Sequence, residues 1–218
     1  MERPQNLNVT PRAAIVVILL FHAVGLIGLS IPISRTLFFQ IVPFHLLLML
    51  AVIILSHHKF NSRFGIFILI IFWFGFIAEW VGVHKGWLFG NYAYGKTLGL
   101  KLFDIPLMIG VNWFLLVYAV GVTMQRIRLK SAFFRVITGA AVLVLLDLLI
   151  EPVAIKFDYW HWVNNIIPLK NYICWFLVSA GMLYVFEWFN FKKQSKVAPV
   201  LLVTEFVFFG VLEVVIRL

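Results

Sequence analysis

Charge is scarce in this sequence. Asp, Glu, Lys and Arg make up 12% of the 218 residues while 63% are hydrophobic, a balance that excludes an ordinary water-soluble domain. Cysteine is nearly absent: the single Cys174 rules out an internal disulfide, leaves the redox compartment open, and reads as packing within an apolar run. The six histidines, His22, His45, His57, His58, His84 and His161, never fall in the clustered HxxxH or HxxHH spacing by which a membrane di-iron oxygenase binds its metals. There is no GxGxxG fingerprint and no P-loop for a nucleotide. No Asp-rich DDxxD segment is present to hold a prenyl diphosphate through magnesium, which argues against a prenyltransferase. A retinal Schiff base is excluded as well, because Lys196 only precedes the last apolar run. No cofactor and no metal are indicated.

What the sequence does have is apolar runs of about twenty residues, the length of a membrane-crossing helix and twice that of a barrel strand. Lipid supplies no hydrogen-bond partners, so such runs must be helical. The reading is an all-α, polytopic transmembrane helical bundle of about seven spans, one domain covering 1–218, with spans at about 13–33, 37–56, 64–83, 105–124, 135–155, 172–190 and 198–217. The first run follows Pro11-Arg12 without a small-residue cleavage site and is expected to be a retained span rather than a signal peptide. The net charge of +9 lies mostly between the runs, where it orients a membrane protein and does not imply nucleic acid. The N-terminus with alternate loops carries 11 Lys and Arg against 7 on the other face, with Arg126, Arg128, Lys130 and Arg135 supplying most of the excess. In the cytoplasmic (inner) membrane this places the N-terminus inside and the C-terminus outside. An odd span count without a long internal repeat counts against an inverted-repeat transporter.

Intramembrane carboxyls cost roughly 2.5–3.5 kcal/mol each on insertion scales, so each needs a partner or a purpose. Asp147 and Glu151, in LLDLLIEP, are four residues apart and share a helix face, about 40° apart around the axis. Two carboxyls so close cannot both ionise cheaply, which leaves one able to act as an acid. Pairing with Lys or Arg of a neighbouring helix is the structural alternative. Glu79, in FIAEW, falls at a similar depth, and His45 and Asn112 lie within a turn or so of that level. Glu205 and Glu213, in the last span, read as structural or interfacial.

Two aromatic connections, GWLFGNYAYG and DYWHW, place Trp87, Phe89, Tyr92, Tyr94, Tyr159, Trp160 and Trp162 on one membrane face. An interfacial belt explains part of this, and aromatic faces beside carboxyls also suit a cationic intermediate. Gly82, Gly86 and Gly90 form GxxxGxxxG, a pattern for close packing or a tight turn.

Taken together, FGNYAYGKTLGLKLFDIPLMIGVNW, DLLIEPVAIKFDYWHW and IPLKNYICWF resemble the corresponding segments of carotenoid biosynthesis membrane proteins that include CruF-type carotenoid 1,2-hydratases. The resemblance covers about residues 75–180. Matching positions include Glu79, Gly86, Gly90, Tyr92, Tyr94, Pro106, Trp113, Asp147, Pro152, Trp160, Trp162, Pro168, Asn171 and Trp175. Glu151 departs by standing where Asp is commoner, and Ile166 where Gly is expected. The resemblance implies a cofactor-free hydro-lyase that adds water across the terminal C1=C2 bond of a ψ-end carotenoid, giving a tertiary alcohol. Asp147, Glu151 and Glu79 would be the acid/base group, with Trp80, Trp87, Tyr92, Tyr94, Asn112, Trp113, Trp160, Trp162 and Asn171 binding a lipophilic carotenoid that arrives from membrane lipid. Association with other carotenoid enzymes fits that setting. An acid-initiated carotenoid isomerase or cyclase, a proton-coupled membrane carrier, and a non-catalytic pigment-binding subunit remain alternatives.

Overall fold

The computed structural model describes residues 9–127 and 129–217. Arg3 and Arg128, which enter the charge count, lie outside the described residues. Seven helices carry most of the chain: α1 (Pro11–Ser30), α2 (Pro32–Ser56), α3 (Ser62–Lys85), α4 (Leu107–Arg126), α5 (Ala132–Lys156), α6 (Leu169–Phe189) and α7 (Val197–Arg217). Each has 20 to 25 residues and is apolar enough to cross a membrane. At about 1.5 Å per residue the shortest is about 30 Å long, the thickness of a hydrocarbon core. The protein is therefore a multi-pass, all-α membrane bundle.

Local chemistry sets several of the helix ends. Thr10 caps α1 by accepting the Ala13 N–H, and Pro11 opens it where no N–H is needed. Asn61 caps α3 in the same way through the Phe64 N–H. At the other end of α3 the chain turns through Gly86 in the left-handed region, and α6 stops at Asn190 likewise.

The central post is α4, with 78% of its apolar window buried against 17% for α2 and for α7. It packs on α2, α3, α5, α6 and α7. The outer helices instead expose Val16, Leu20, Ile33, Phe44 and Val203, side chains suited to lipid. The start of α5 is tied to the end of α6 by a two-pronged ion pair, with Arg135 Nε and Nη2 donating to the two Glu187 oxygens at 2.8 and 2.6 Å.

Between the helices lie four short strands, β1 (Tyr92–Tyr94), β2 (Lys101–Leu102), β3 (Ile105–Pro106) and β4 (Trp160–Trp162). β2 and β3 form a hairpin, whereas β1 pairs antiparallel with β4 and so joins the two aromatic connections. The crossing is tight: a Cβ on Gly95 would lie 2.1 Å from the Asp158 carbonyl oxygen, so only glycine fits there. Thr97 Oγ1 donates to the Phe157 carbonyl, while the Asp158 carboxylate accepts from the Lys96 N–H and pairs with His161. Burial works to push the Asp158 carboxyl up, but these hydrogen bonds and the neighbouring charges hold it below its ordinary value.

Candidate active site

Alternation along a strand decides which side chains the β1–β4 ribbon sends toward the bundle. Tyr92 stands opposite Trp162 and Tyr94 opposite Trp160, all four buried, while Ala93 and His161 between them face outward. The inward face carries two phenol O–H and two indole N–H donors. They meet carboxyls rising from the helices below.

Glu79, near the end of α3, accepts from Tyr92 Oη (2.5 Å) and Tyr94 Oη (2.7 Å) at Oε2, and from Trp113 Nε1 of α4 (2.9 Å) at Oε1. Burial, and then the adjacent Glu79 charge, push both phenols well above their ordinary value, so they stay protonated and able to donate. Glu151 of α5 accepts from Trp160 Nε1 (3.0 Å) and Trp162 Nε1 (2.8 Å) at Oε2. Its Oε1 accepts from Asn171 Nδ2 of α6 (3.0 Å), and the same amide nitrogen donates to Asp147 Oδ2 (2.9 Å). All three carboxyls and Asn171 are buried. Asp147 Oδ1 is buried with no hydrogen-bond partner among the described residues. No Lys or Arg pairs with any of the three carboxyls among the described residues, so the site is held by neutral donors.

Glu79, Glu151, Asn112 and Asn171 line a small cavity whose walls include Phe89, Tyr92, Tyr94, Trp160, Trp162 and Trp175. The space open to a water's centre is about 20 Å³, which holds a single water molecule. Asp147 is not on this wall; Asn171 links it to Glu151. Beside the cavity runs an apolar groove between α1, α2, α4, α5 and α7, with about 180 Å³ of such space, lined by Val24, Phe38, Val42, Leu46, Phe208 and Phe209 among others. Ile109, Asn112, Ile150 and Trp160 line both. Asn112 thus stands at the junction of a polar pocket and an apolar channel.

Other residues singled out in the sequence take different places. Trp80 stacks on His84 and Trp87 is exposed, so neither lines the cavity. Trp113 lies behind the wall, bonded to Glu79 and packed at a tilt against Trp175, with 4.3 Å between ring centroids. Trp175 was visible in the sequence only as a family-like position, and its indole forms part of the wall. His45 lies in the groove against His22, away from the three carboxyls. Glu213 pairs with Arg217, and Cys174 is buried and free.

The glycines of GxxxGxxxG have separate uses. Gly86 and Gly90 turn the chain at positive φ, whereas Gly82 makes room for a side chain. A Cβ there would lie 2.5 Å from Tyr92 Oη. Gly82→Ala is therefore expected to displace Tyr92 from Glu79, lowering activity while the bundle stays assembled. Near-ultraviolet absorption of the buried tyrosines would report the displacement, and an unchanged spectrum with full activity would contradict the packing.

The sequence pattern of the Carotenoid biosynthesis protein family matches residues 40–218, which takes in every element of the site. This chain belongs to that family. A relative, the bisanhydrobacterioruberin hydratase of Haloarcula japonica, is 28% identical over 142 residues, 62% of this chain and 48% of that protein. The chain thus spans about half the length of the relative it matches. No solved structure matches the chain.

Proposed function

We propose that this family member is a carotenoid 1,2-hydratase that adds water across the terminal C1=C2 bond of a ψ-end carotenoid without a cofactor. One observation carries the reading: two carboxyls, Glu79 and Glu151, line a cavity of one-water size that shares Ile109, Asn112, Ile150 and Trp160 with an apolar groove. The hydratase activity for which the Haloarcula relative is named supports it. The groove takes the polyene from the bilayer, and its isoprenoid end stops against the pocket at Asn112, leaving the one-water cavity to the water.

The chemistry then follows from the donors around each carboxyl. Asp147 and Glu151, one helical turn apart, cannot both ionise cheaply, so one proton stays on the pair; Glu151, on the wall, holds it and delivers it to C2. The electron pair of the double bond forms the new C–H bond and leaves a tertiary cation at C1. The indole and phenol rings of Trp160, Trp162, Tyr92 and Tyr94 face this charge. A water held at Asn112 attacks C1 and loses a proton to Glu79, whose three donors suit a carboxylate. Overall one H and one OH are added, and a proton passed back from Glu79 to the Asp147–Glu151 pair restores the site.

Expression in a lycopene-producing host is expected to yield pigment heavier by the mass of one or two waters. Purified protein in ¹⁸O-labelled water should put the label in the alcohol without O₂, metal or reductant. Label arriving from O₂ would overturn the mechanism, and a mass-neutral pigment with a shifted double bond or a ring would favour an isomerase or cyclase. For orientation we propose the N-terminus inside the cytoplasmic membrane and the aromatic ribbon at its outer face. Reporter fusions at both termini should read opposite sides; equal readings would contradict it.

A further inference from the structure

The groove holds a second polar cluster that hydration does not use. His22 is buried on α1, and its Nδ1 faces the Ile18 carbonyl at 2.8 Å. A carbonyl only accepts, so Nδ1 carries the hydrogen and Nε2 is left for Glu205 Oε1 of α7, 3.2 Å away. His45 of α2 sets its ring edge-on against His22, 4.6 Å between centroids. Glu205 and His45 both line the apolar groove. Neither ring nitrogen of His45, nor Glu205 Oε2, has a hydrogen-bond partner among the described residues.

Three helices thus bring one donor–acceptor ring and one carboxyl oxygen to a groove walled mostly by Phe, Leu, Ile and Val, with Asn112, Tyr159 and Trp160 as its other polar side chains. Polar groups left unpaired inside a membrane protein call for a polar ligand atom. The chemistry narrows what that atom is. An anionic headgroup would be opposed by the Glu205 carboxyl, and an ammonium by the His22 side of the pair. A carbonyl could only accept, leaving Glu205 unsatisfied. A hydroxyl can accept from His45 and donate to Glu205 at once.

We propose that His45 and Glu205, positioned by His22, form a binding site for a hydroxyl group on an isoprenoid chain, some way along the chain from the end that meets the carboxyl pocket. This deepens the hydratase reading by giving it an oxygenated substrate class, and it rests on that reading only for which end meets the pocket. Site and pocket share one groove, so the distance between them selects where the hydroxyl must sit.

The test is binding without turnover. Geraniol, farnesol and geranylgeraniol carry the same dimethyl-alkene end as an acyclic carotenoid, with a hydroxyl at increasing distance, and the matching hydrocarbons lack it. Equilibrium dialysis against detergent-solubilised full-length protein is expected to show one alcohol binding about 3–10-fold tighter than its hydrocarbon, the worth of a hydrogen bond or two. His45→Phe and, separately, Glu205→Gln should remove that preference while hydrocarbon affinity stays. Alcohols and hydrocarbons binding alike to the unaltered protein would overturn the proposal. So would variants that weaken both ligands equally with a lowered thermal midpoint, the mark of a tie between helices. A lycopene host that yields no hydrated pigment, with the alcohol preference intact, would sink hydration and leave this site standing.

Discussion

Asp147→Asn and Glu151→Gln should each remove most hydration while the protein stays inserted and folded. An amide keeps the shape of the side chain and can still accept from Asn171 or the indoles, but it cannot pass a proton to an alkene. Losing proton transfer costs about 10²–10⁴-fold in rate. A purely structural role has a different signature: breaking a buried charged pair costs roughly 3–5 kcal/mol and shows as lost expression and a lower melting point. The absence of a Lys or Arg partner among the described residues favours the first outcome. Glu151 is on the cavity wall and Asp147 behind it, so Glu151→Gln should be the more severe. Glu79→Gln should also be severe, through loss of the base. Normal turnover per folded molecule in both the Asp147 and Glu151 variants would take this pair out of the mechanism.

Asn171→Leu should cost stability as well as activity. One amide nitrogen serves Asp147 Oδ2 and Glu151 Oε1, and an isobutyl group serves neither. Each buried oxygen left without a donor costs about 1–3 kcal/mol. With Asp147 Oδ1 already unpartnered, that carboxyl would lose its last hydrogen bond among the described residues. A fall in the thermal midpoint beyond that of Tyr172→Phe, a half-buried neighbour on the same helix, is the expected measurement. Equal midpoints would mean that the bridge carries no weight and that α6 is held by its apolar face alone.

Seven helical spans were legible from composition alone, because apolar runs of helix length in a charge-poor chain have one low-energy solution in lipid. The sequence also brought out the three carboxyls, since each is costly at membrane depth, and the Asp147–Glu151 pairing, since four residues make one helical turn. How distant segments meet was set by packing. YAY and WHW look like interfacial aromatics in the sequence, and period-two alternation over three residues is too short to mark a strand. Pairing β1 with β4 turns their alternate side chains into a donor face above Glu79 and Glu151. Trp87 and Trp160 are equally aromatic in the sequence, yet one is exposed and the other is bonded to a carboxyl. The His22–Glu205 contact spans 183 residues, a separation that no local pattern encodes. Composition and period act along the chain and specify what must be buried; which polar groups then share a cavity depends on helix packing, which exists only after the chain has folded.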